Sequence, residues 1–128
     1  MGHKERIRRG DVYLIAYAFA HEQDSFKVTD DEKKKRPILI LQNNPDNNNQ
    51  HYPLFLAAPI TSQKVSRIYQ QDVFLKAGEA NLEQDSKVLL GLTQPFLKTQ
   101  LKQKLGRISR SKIKEVDLKL LRLFGFRR

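Results

Sequence analysis

The sequence contains no cysteine, and no uninterrupted apolar run approaches the ~20 residues that a membrane-spanning helix needs. The missing cysteines exclude a disulfide framework, a thiol nucleophile and thiolate metal ligands, and they are typical of proteins in a reducing cytoplasm. The N-terminal residues lack the apolar core of a signal peptide. We therefore expect a soluble, cytoplasmic protein that does not associate with a membrane.

Metal-ligand patterns and phosphate-cradling glycine loops are missing too. The three histidines and the scattered acidic residues show no ligand spacing. We predict no metal site and no cofactor. The length of 128 residues suits one compact core that needs no metal or disulfide support. We expect a single domain over residues 1–128, in which residues 1–8 form a flexible arm.

Positive charge is in excess, with 24 Lys+Arg against 14 Asp+Glu and a formal net charge of +10. A field of this sign concentrates polyanions at the protein surface and speeds their association. Nucleic acid is the commonest such partner, and an acidic protein is the other. High solubility alone is the simpler explanation of the same charge.

Residues 36–43 form the stretch around which the rest of the chain is organised. They read Arg-Pro-Ile-Leu-Ile-Leu-Gln-Asn, a short apolar run with polar ends, which predicts a strand buried on both faces. A second short strand, residues 54–60, ends in Thr61 and Ser62. If the two strands are neighbours, the Arg36 guanidinium and these two hydroxyls converge on one site.

The remaining elements follow from periodicity. Residues 10–18 alternate as a strand does, and residues 87–92 form another apolar strand. Three leucines spaced by four predict helical turns instead; they are Leu97, Leu101 and Leu105. A final helix, capped by Ser109 or Ser111 and stopped by Gly125, carries its apolar residues on one face: Ile113, Val116, Leu120 and Leu123. The predicted fold is mainly β (α+β), a small, curled antiparallel sheet of the SH3-like barrel kind with a packed C-terminal helix.

Several segments together carry a family resemblance. Arg36-Pro37 before a hydrophobic strand, Gln42-Asn43 after it, and residues 58–62 (Ala-Pro-Ile-Thr-Ser) resemble the MazF/PemK family of toxin ribonucleases from bacterial toxin-antitoxin pairs. Residues 9–13, 21–23, 85–90 and 106–109, followed by the last helix, are similar to further family segments in the family's order. No single motif is specific, but the ordered set covers nearly the whole chain. The resemblance implies the SH3-like barrel that MazF, PemK and CcdB proteins share.

The resemblance also implies a function. The chain would be the toxin of a type II toxin-antitoxin system, a metal-independent endoribonuclease (mRNA interferase) that cleaves single-stranded RNA. It would act as a homodimer and be inhibited by a cognate antitoxin with an acidic segment.

Candidate site residues combine the resemblance with residue chemistry. The resemblance implies that Arg36 and Thr61 are the catalytic arginine and threonine, and that His21 matches the histidine of the PemK branch. A guanidinium fork meets two phosphate oxygens at once, hydroxyls donate or relay a proton, and histidine titrates near neutral pH. The predicted catalytic residues are Arg36, Thr61, Ser62 and His21. The predicted RNA-binding residues are Glu22, Gln23, Lys35, Gln42, Asn43, Lys64 and Gln94.

Each of the predicted catalytic residues also has an interpretation without a role in catalysis. Arg36 could form an ion pair with Asp11 or with a loop acid. Thr61 and Ser62 could form a turn that satisfies its own backbone. A lone loop histidine such as His21 most often has no catalytic role.

The sequence departs from the family in two places. PemK-like relatives carry an arginine and an acid before Gln-Pro and a base after it, but residues 91–96 here read Gly-Leu-Thr-Gln-Pro-Phe. Only Gln94-Pro95 remains of that pattern, which shifts the expected chemistry to Arg36 and Thr61. The loop over residues 20–35 is longer than is usual in the family, so its RNA preference or its activity could differ.

Two other functions fit the same fold. A CcdB-like toxin would bind DNA gyrase instead of cutting RNA; its relatives end in tryptophan-glycine, whereas this chain has no tryptophan and ends in Phe124-Gly125-Phe126 before two arginines. A catalytically inactive barrel that only binds RNA is the second alternative. The RNA sequence that would be recognised is not encoded in any motif, because loop geometry and base pockets determine it.

Overall fold

The computed structural model describes residues 6–16 and 35–126 of the chain. These residues contain seven strands and two α-helices. In chain order the elements are β1 (Asp11–Ala16), β2 (Lys35–Ile40), α1 (Asn44–Asn47), β3 (Leu54–Thr61), β4 (Asp72–Leu75), β5 (Ser86–Leu89), β6 (Gln94–Leu97), β7 (Leu101–Arg107) and α2 (Arg110–Leu123). Short 3-10 turns occupy Glu79–Asn81, Leu90–Leu92 and Lys98–Gln100.

All the strand pairs are antiparallel, and the strand order is β4-β5-β3-β2-β1-β7. β3 pairs with β2 along one edge. Its other edge is shared, because β6 pairs with residues 54–57 and β5 pairs with residues 60–61. The structure thus confirms the predicted curled antiparallel sheet with a C-terminal helix.

The central strands are buried on both faces. Ile38, Leu39 and Ile40 of β2 are all 0% exposed, which confirms the prediction made from their unbroken apolar run. Leu39 belongs to one hydrophobic cluster, and its two neighbours belong to a second cluster on the opposite face. In the second cluster the rings of Phe55 and Phe96 stack with their centroids 5.7 Å apart.

Helix α2 covers the first cluster. Val116 is 1% exposed, and Ile113, Leu120 and Leu123 pack against the same cluster, as their spacing predicted. Of the two serines, Ser109 is the cap, and its Oγ accepts a hydrogen bond from the Lys112 amide. Gly125 follows the helix in the left-handed region, at φ +80°, where a glycine stop is favoured.

The helical turns expected from Leu97, Leu101 and Leu105 are wrong. Leu97 ends β6, the other two leucines belong to β7, and only the short 3-10 turn Lys98–Gln100 separates the strands. A spacing of four fits the two-residue period of a strand as well as the helical period. Register shifts in the β1–β7 pair then let Leu101 and Leu105 pack against different clusters.

The sequence predicted a flexible arm over residues 1–8, but Ile7, Arg8 and the adjoining Arg9 are anchored. Ile7 packs against the second cluster, and the Arg8 amide donates to Asp11 Oδ2 at 2.9 Å. Arg9 donates from Nε to the Leu41 carbonyl at 2.8 Å and forms an ion pair with Asp117 at 2.7 Å. These contacts tie the segment to both the sheet and α2.

Gly106 provides a test of the packing between β7 and the turn at residues 79–81. A Cβ built at Gly106 would lie 2.8 Å from the backbone carbon and oxygen of Ala80, and backbone atoms cannot move aside as a flexible side chain can. We expect Gly106→Ala to lower the free energy of unfolding by about 1–3 kcal/mol, the usual cost of overpacking. Urea denaturation followed by circular dichroism measures this change.

Gly91→Ala is the matched control, because no atom lies within 4 Å of a Cβ at Gly91 and its φ is not positive. This control should change the unfolding free energy by less than about 0.5 kcal/mol. Equal effects of the two substitutions would contradict the close approach at Gly106.

Candidate active site

The pairing of β2 with β3 brings Arg36 and Thr61 together. Ile38 is paired with Pro59, so Arg36 and Thr61 each lie two residues further toward the same end of these strands. The guanidinium and the hydroxyl therefore reach the same end of the sheet, as the sequence predicted for neighbouring strands.

Both residues line one cavity of about 550 Å³, a volume in the usual range for ligand sites. Lys35, Arg36 and Pro37 enter it from the start of β2, and Thr61, Ser62 and Gln63 from the end of β3. Arg36 and Thr61 are half-buried, whereas Lys35 and Ser62 are exposed. Two cationic side chains and the hydroxyls of Thr61 and Ser62 thus share one cavity.

The Thr61 hydroxyl is oriented by its own turn. The Gln63 amide donates a hydrogen bond to Thr61 Oγ1 at 3.1 Å. This bond is the backbone-satisfying turn that the sequence offered as an alternative to a functional role. It uses the hydroxyl only as an acceptor, so the hydroxyl proton can still be donated to a ligand in the cavity.

The alternative in which Asp11 holds Arg36 is wrong. Arg36 pairs in register with Ile15, near the end of β1 that is opposite Asp11. Asp11 is fully buried, and its carboxylate contacts Arg107 Nη1 at 3.1 Å and Lys104 Nζ at 3.5 Å. Its charge is therefore balanced by cations of β7.

Sequence reasoning missed the opposite wall of the cavity. The turn after β4 contributes Asn81, Leu82, Glu83 and Gln84, and Ser86 follows at the start of β5. Glu83 adds an exposed carboxylate to the site. These residues show no periodic pattern in the sequence. The pairing of β5 with β3, which is distant in sequence, brings their turn to the cavity.

The sequence matches a known protein family. A family model, described as the PemK-like, MazF-like toxin of type II toxin-antitoxin systems, matches residues 8–124. The chain belongs to the PemK/MazF toxin family. No curated protein matches the sequence.

Solved structures of family toxins share the fold at low sequence identity. An endoribonuclease from a mycobacterial species, bound to its cognate antitoxin, is 18% identical with a TM-score of 0.71, and the match covers 95% of this chain and 98% of that one. The Mycobacterium tuberculosis toxin MazF-mt6 is 22% identical with a TM-score of 0.69 over 92% of this chain and 99% of its own. A MazE-MazF complex from Deinococcus radiodurans is 19% identical, with a TM-score of 0.69 over 97% and 100% of the two chains.

Several residues predicted from the PemK/MazF resemblance lie away from the cavity. Gln42 and Asn43 follow the far end of β2, where Gln42 Nε2 donates to the Leu54 carbonyl at 2.9 Å and Asn43 caps α1. Gln94 begins β6 opposite Ala57. Lys64 is exposed in the segment that follows Thr61, whereas His21, Glu22 and Gln23 lie outside the described residues.

Residues 6–16 and 35–126 are the part of the chain that the structure describes. This part of the chain has no group of three or more histidine, aspartate or glutamate side chains placed to hold a metal ion. None of its helices is long and apolar enough to cross a membrane.

Proposed function

We propose that this PemK/MazF-family toxin is an endoribonuclease that cleaves single-stranded RNA by attack of the ribose 2′-hydroxyl. The observation that carries the proposal is the shared cavity of Arg36 and Thr61, which come from the neighbouring strands β2 and β3. Two mycobacterial proteins whose structures share this fold are endoribonucleases. RNA is the substrate because DNA has no 2′-hydroxyl to act as the nucleophile.

The cavity residues can serve each step of this reaction. The 2′-oxygen loses a proton, forms a bond to phosphorus, and the bond from phosphorus to the 5′-oxygen breaks. Negative charge grows on the phosphorane oxygens, and the Arg36 guanidinium can meet two of them with parallel N–H groups. Thr61 can donate its hydroxyl proton to a phosphorane oxygen, and Ser62 offers a second hydroxyl. Lys35 adds positive charge where the RNA backbone would enter.

Two groups are candidates for the proton acceptor. His21 is the prediction made from the sequence, on the basis of its titration range and the PemK resemblance. The Glu83 carboxylate lies in the same cavity as Arg36 and can accept a proton from the 2′-hydroxyl. The 5′-oxygen takes up a proton from water as it leaves, and the protonated acceptor returns its proton to the solvent, so the products are a 2′,3′-cyclic phosphate and a 5′-hydroxyl.

The reaction should be independent of metal ions, because every proposed group belongs to the protein. We expect the purified protein to cut single-stranded RNA in excess EDTA and to leave 2′,3′-cyclic phosphate or 3′-phosphate ends. Mass spectrometry of the fragments identifies these ends. A strict requirement for magnesium would contradict the mechanism. RNA that is bound but never cut would indicate an inactive barrel, and a protein that ignores RNA and binds DNA gyrase would indicate the CcdB-like alternative.

Arg36→Ala should lower kcat by about 10²–10³-fold, the usual effect of removing one preorganised donor from a charged transition state. Thr61→Val keeps the shape of the side chain and removes the hydroxyl, so it should lower kcat by a similar or smaller factor. Arg110→Ala is the matched control, since Arg110 is an exposed arginine of α2 outside the cavity. Single-turnover cleavage assays measure all three. Wild-type rates for both cavity variants would remove these residues from the mechanism.

We also propose that the toxin is a homodimer. Phe124 and Phe126 are 62% and 65% exposed, and with Leu120 and Leu121 they line an apolar depression of about 290 Å³ at the end of α2. An exposed apolar surface of this kind is typical of a protein interface. Light scattering at micromolar concentration should give twice the chain mass, whereas a 14.9 kDa particle at every concentration would contradict the dimer.

The partner proposed for the basic cavity is a cognate antitoxin with an acidic segment. Carboxylates of such a segment can occupy the positions of RNA phosphates beside Lys35 and Arg36, so the antitoxin and RNA should compete. Lys33→Glu combined with Lys35→Glu should weaken both ligands, reduce the salt dependence of their binding, and leave the melting temperature nearly unchanged. Fluorescence anisotropy over a range of salt concentrations measures both affinities.

The control makes the same charge change on α2, with Arg110→Glu and Lys114→Glu. This control should weaken the two ligands much less, because neither residue lines the cavity. An antitoxin that binds the Lys33 and Lys35 double variant as well as the wild type, or that leaves RNA cleavage unchanged, would show that the two sites do not overlap.

A further inference from the structure

Lys87 is a buried lysine that the proposed reaction does not use. It lies in β5 with only 6% of its surface exposed, and it pairs with Thr61 of β3 on one side and with Phe74 of β4 on the other. A buried ammonium is tolerated only when its donors are satisfied. Its Nζ donates to the carbonyl of Lys64 at 3.0 Å and to that of Arg67 at 2.6 Å, and it lies 3.8 Å from Asp72 Oδ2.

The topology explains why a cation is needed at this position. β3 and β4 follow each other in sequence but are not neighbours in the sheet, because β5 lies between them. Residues 62–71 must therefore cross β5. Carbonyl groups that this crossing segment turns toward the sheet need donors, and the strand beneath supplies them through the Lys87 side chain.

The crossing segment has an unfavourable backbone conformation at Lys64. This residue has φ +52°, in the left-handed region that side chains other than glycine, asparagine and aspartate rarely adopt. The Lys64 carbonyl accepts both the Lys87 ammonium and the Arg67 amide, the latter at 3.0 Å. These two bonds hold the turn in a conformation that its sequence does not favour.

The far end of the crossing segment is fixed as well. Asp72 Oδ2 accepts a hydrogen bond from the Tyr69 amide at 2.9 Å, and the Asp72 carbonyl accepts one from Lys119 Nζ of α2 at 2.5 Å. Lys87, whose ammonium lies close to the same carboxylate, thus holds the segment at residues 64 and 67, and Asp72 holds its far end at Tyr69 and bonds to the helix. Two buried charged groups therefore hold the segment.

The near end of this segment is part of the cavity. Ser62 and Gln63 line it, and the Gln63 amide orients the Thr61 hydroxyl. We propose that Lys87 is a positioning residue: its buried ammonium holds residues 62–67 so that the Thr61 hydroxyl stays directed into the cavity beside Arg36. This proposal rests on the proposed endoribonuclease function, although the anchoring itself can be tested without it.

The kinetic test replaces the ammonium by an apolar chain of similar length. We expect Lys87→Met to lower kcat on RNA by about a hundredfold, the loss that a misplacement of roughly 1 Å can cause, with KM nearly unchanged because the cationic residues of the cavity remain. Lys104→Met is the matched control. Lys104 also pairs with a buried aspartate, Asp11, but it lies outside the cavity, so kcat should stay at the wild-type value.

The anchoring test uses trypsin, which cleaves after lysine and arginine. Lys64 and Arg67 lie in the crossing segment, and Lys87→Met should speed cleavage at these two positions, whereas Lys104→Met should not. If Lys87→Met does not fold, the double variant Lys87→Met with Asp72→Asn avoids an unpaired buried carboxylate and carries the same expectations. Circular dichroism and the melting temperature establish which variants are folded.

A folded Lys87 variant with wild-type kcat overturns the proposal, as does a control that loses the same activity. A wild-type protein that never cuts RNA overturns the proposed function instead. In that case the trypsin result is interpreted alone: faster cleavage in Lys87→Met supports the anchoring role, and unchanged cleavage overturns it.

Discussion

The pairing of β3 is the constraint on which the other features depend. Its residues 57–59 pair with β2 along one edge, while its other edge is divided between β6 and β5. Buried backbone N–H and C=O groups must form hydrogen bonds. The two parts of this edge of β3 therefore determine where β6 and β5 each lie. Pro59 lies between the residues that pair with β6 and those that pair with β5, at a break in the ladder where a residue without an amide hydrogen is tolerated. The division also forces the chain to cross β5 before it reaches β4.

The cavity is a consequence of this arrangement. β3 ends at Thr61, the crossing segment leaves the sheet there, and β2 begins beside it with Lys35 and Arg36. Arg36 is followed two residues later by Ile38, which is fully buried, as are the next two residues of β2. A side chain that projects from a strand with both faces packed is held more precisely than one on a loop, and such preorganisation is what electrostatic stabilisation of a developing charge requires.

The sequence predicted the strands with unbroken or alternating apolar residues and the amphipathic helix α2, because local periodicity determines them. It failed for Leu101 and Leu105, whose spacing fits a strand and a helix equally well. RNA binding by Gln42 and Asn43 stays a prediction; in the structure their side chains bond the Leu54 carbonyl and cap α1. The wall formed by Asn81 to Gln84 could not be predicted, since the long-range pairing of β5 with β3 brings it to the cavity that Arg36 also lines.

The excess of positive charge is divided between structural and surface roles. Asp11 and Asp72 are buried acids, and each has a lysine within 4 Å, Lys104 and Lys87 respectively. These cations balance buried carboxylates and contribute little net field outside the protein. At the cavity the balance differs: of the described residues that line it, Lys35 and Arg36 are the cations and Glu83 is the only acid. The net charge of +10 therefore combines cations that balance buried acids with cations that line the cavity, where they would attract a polyanion.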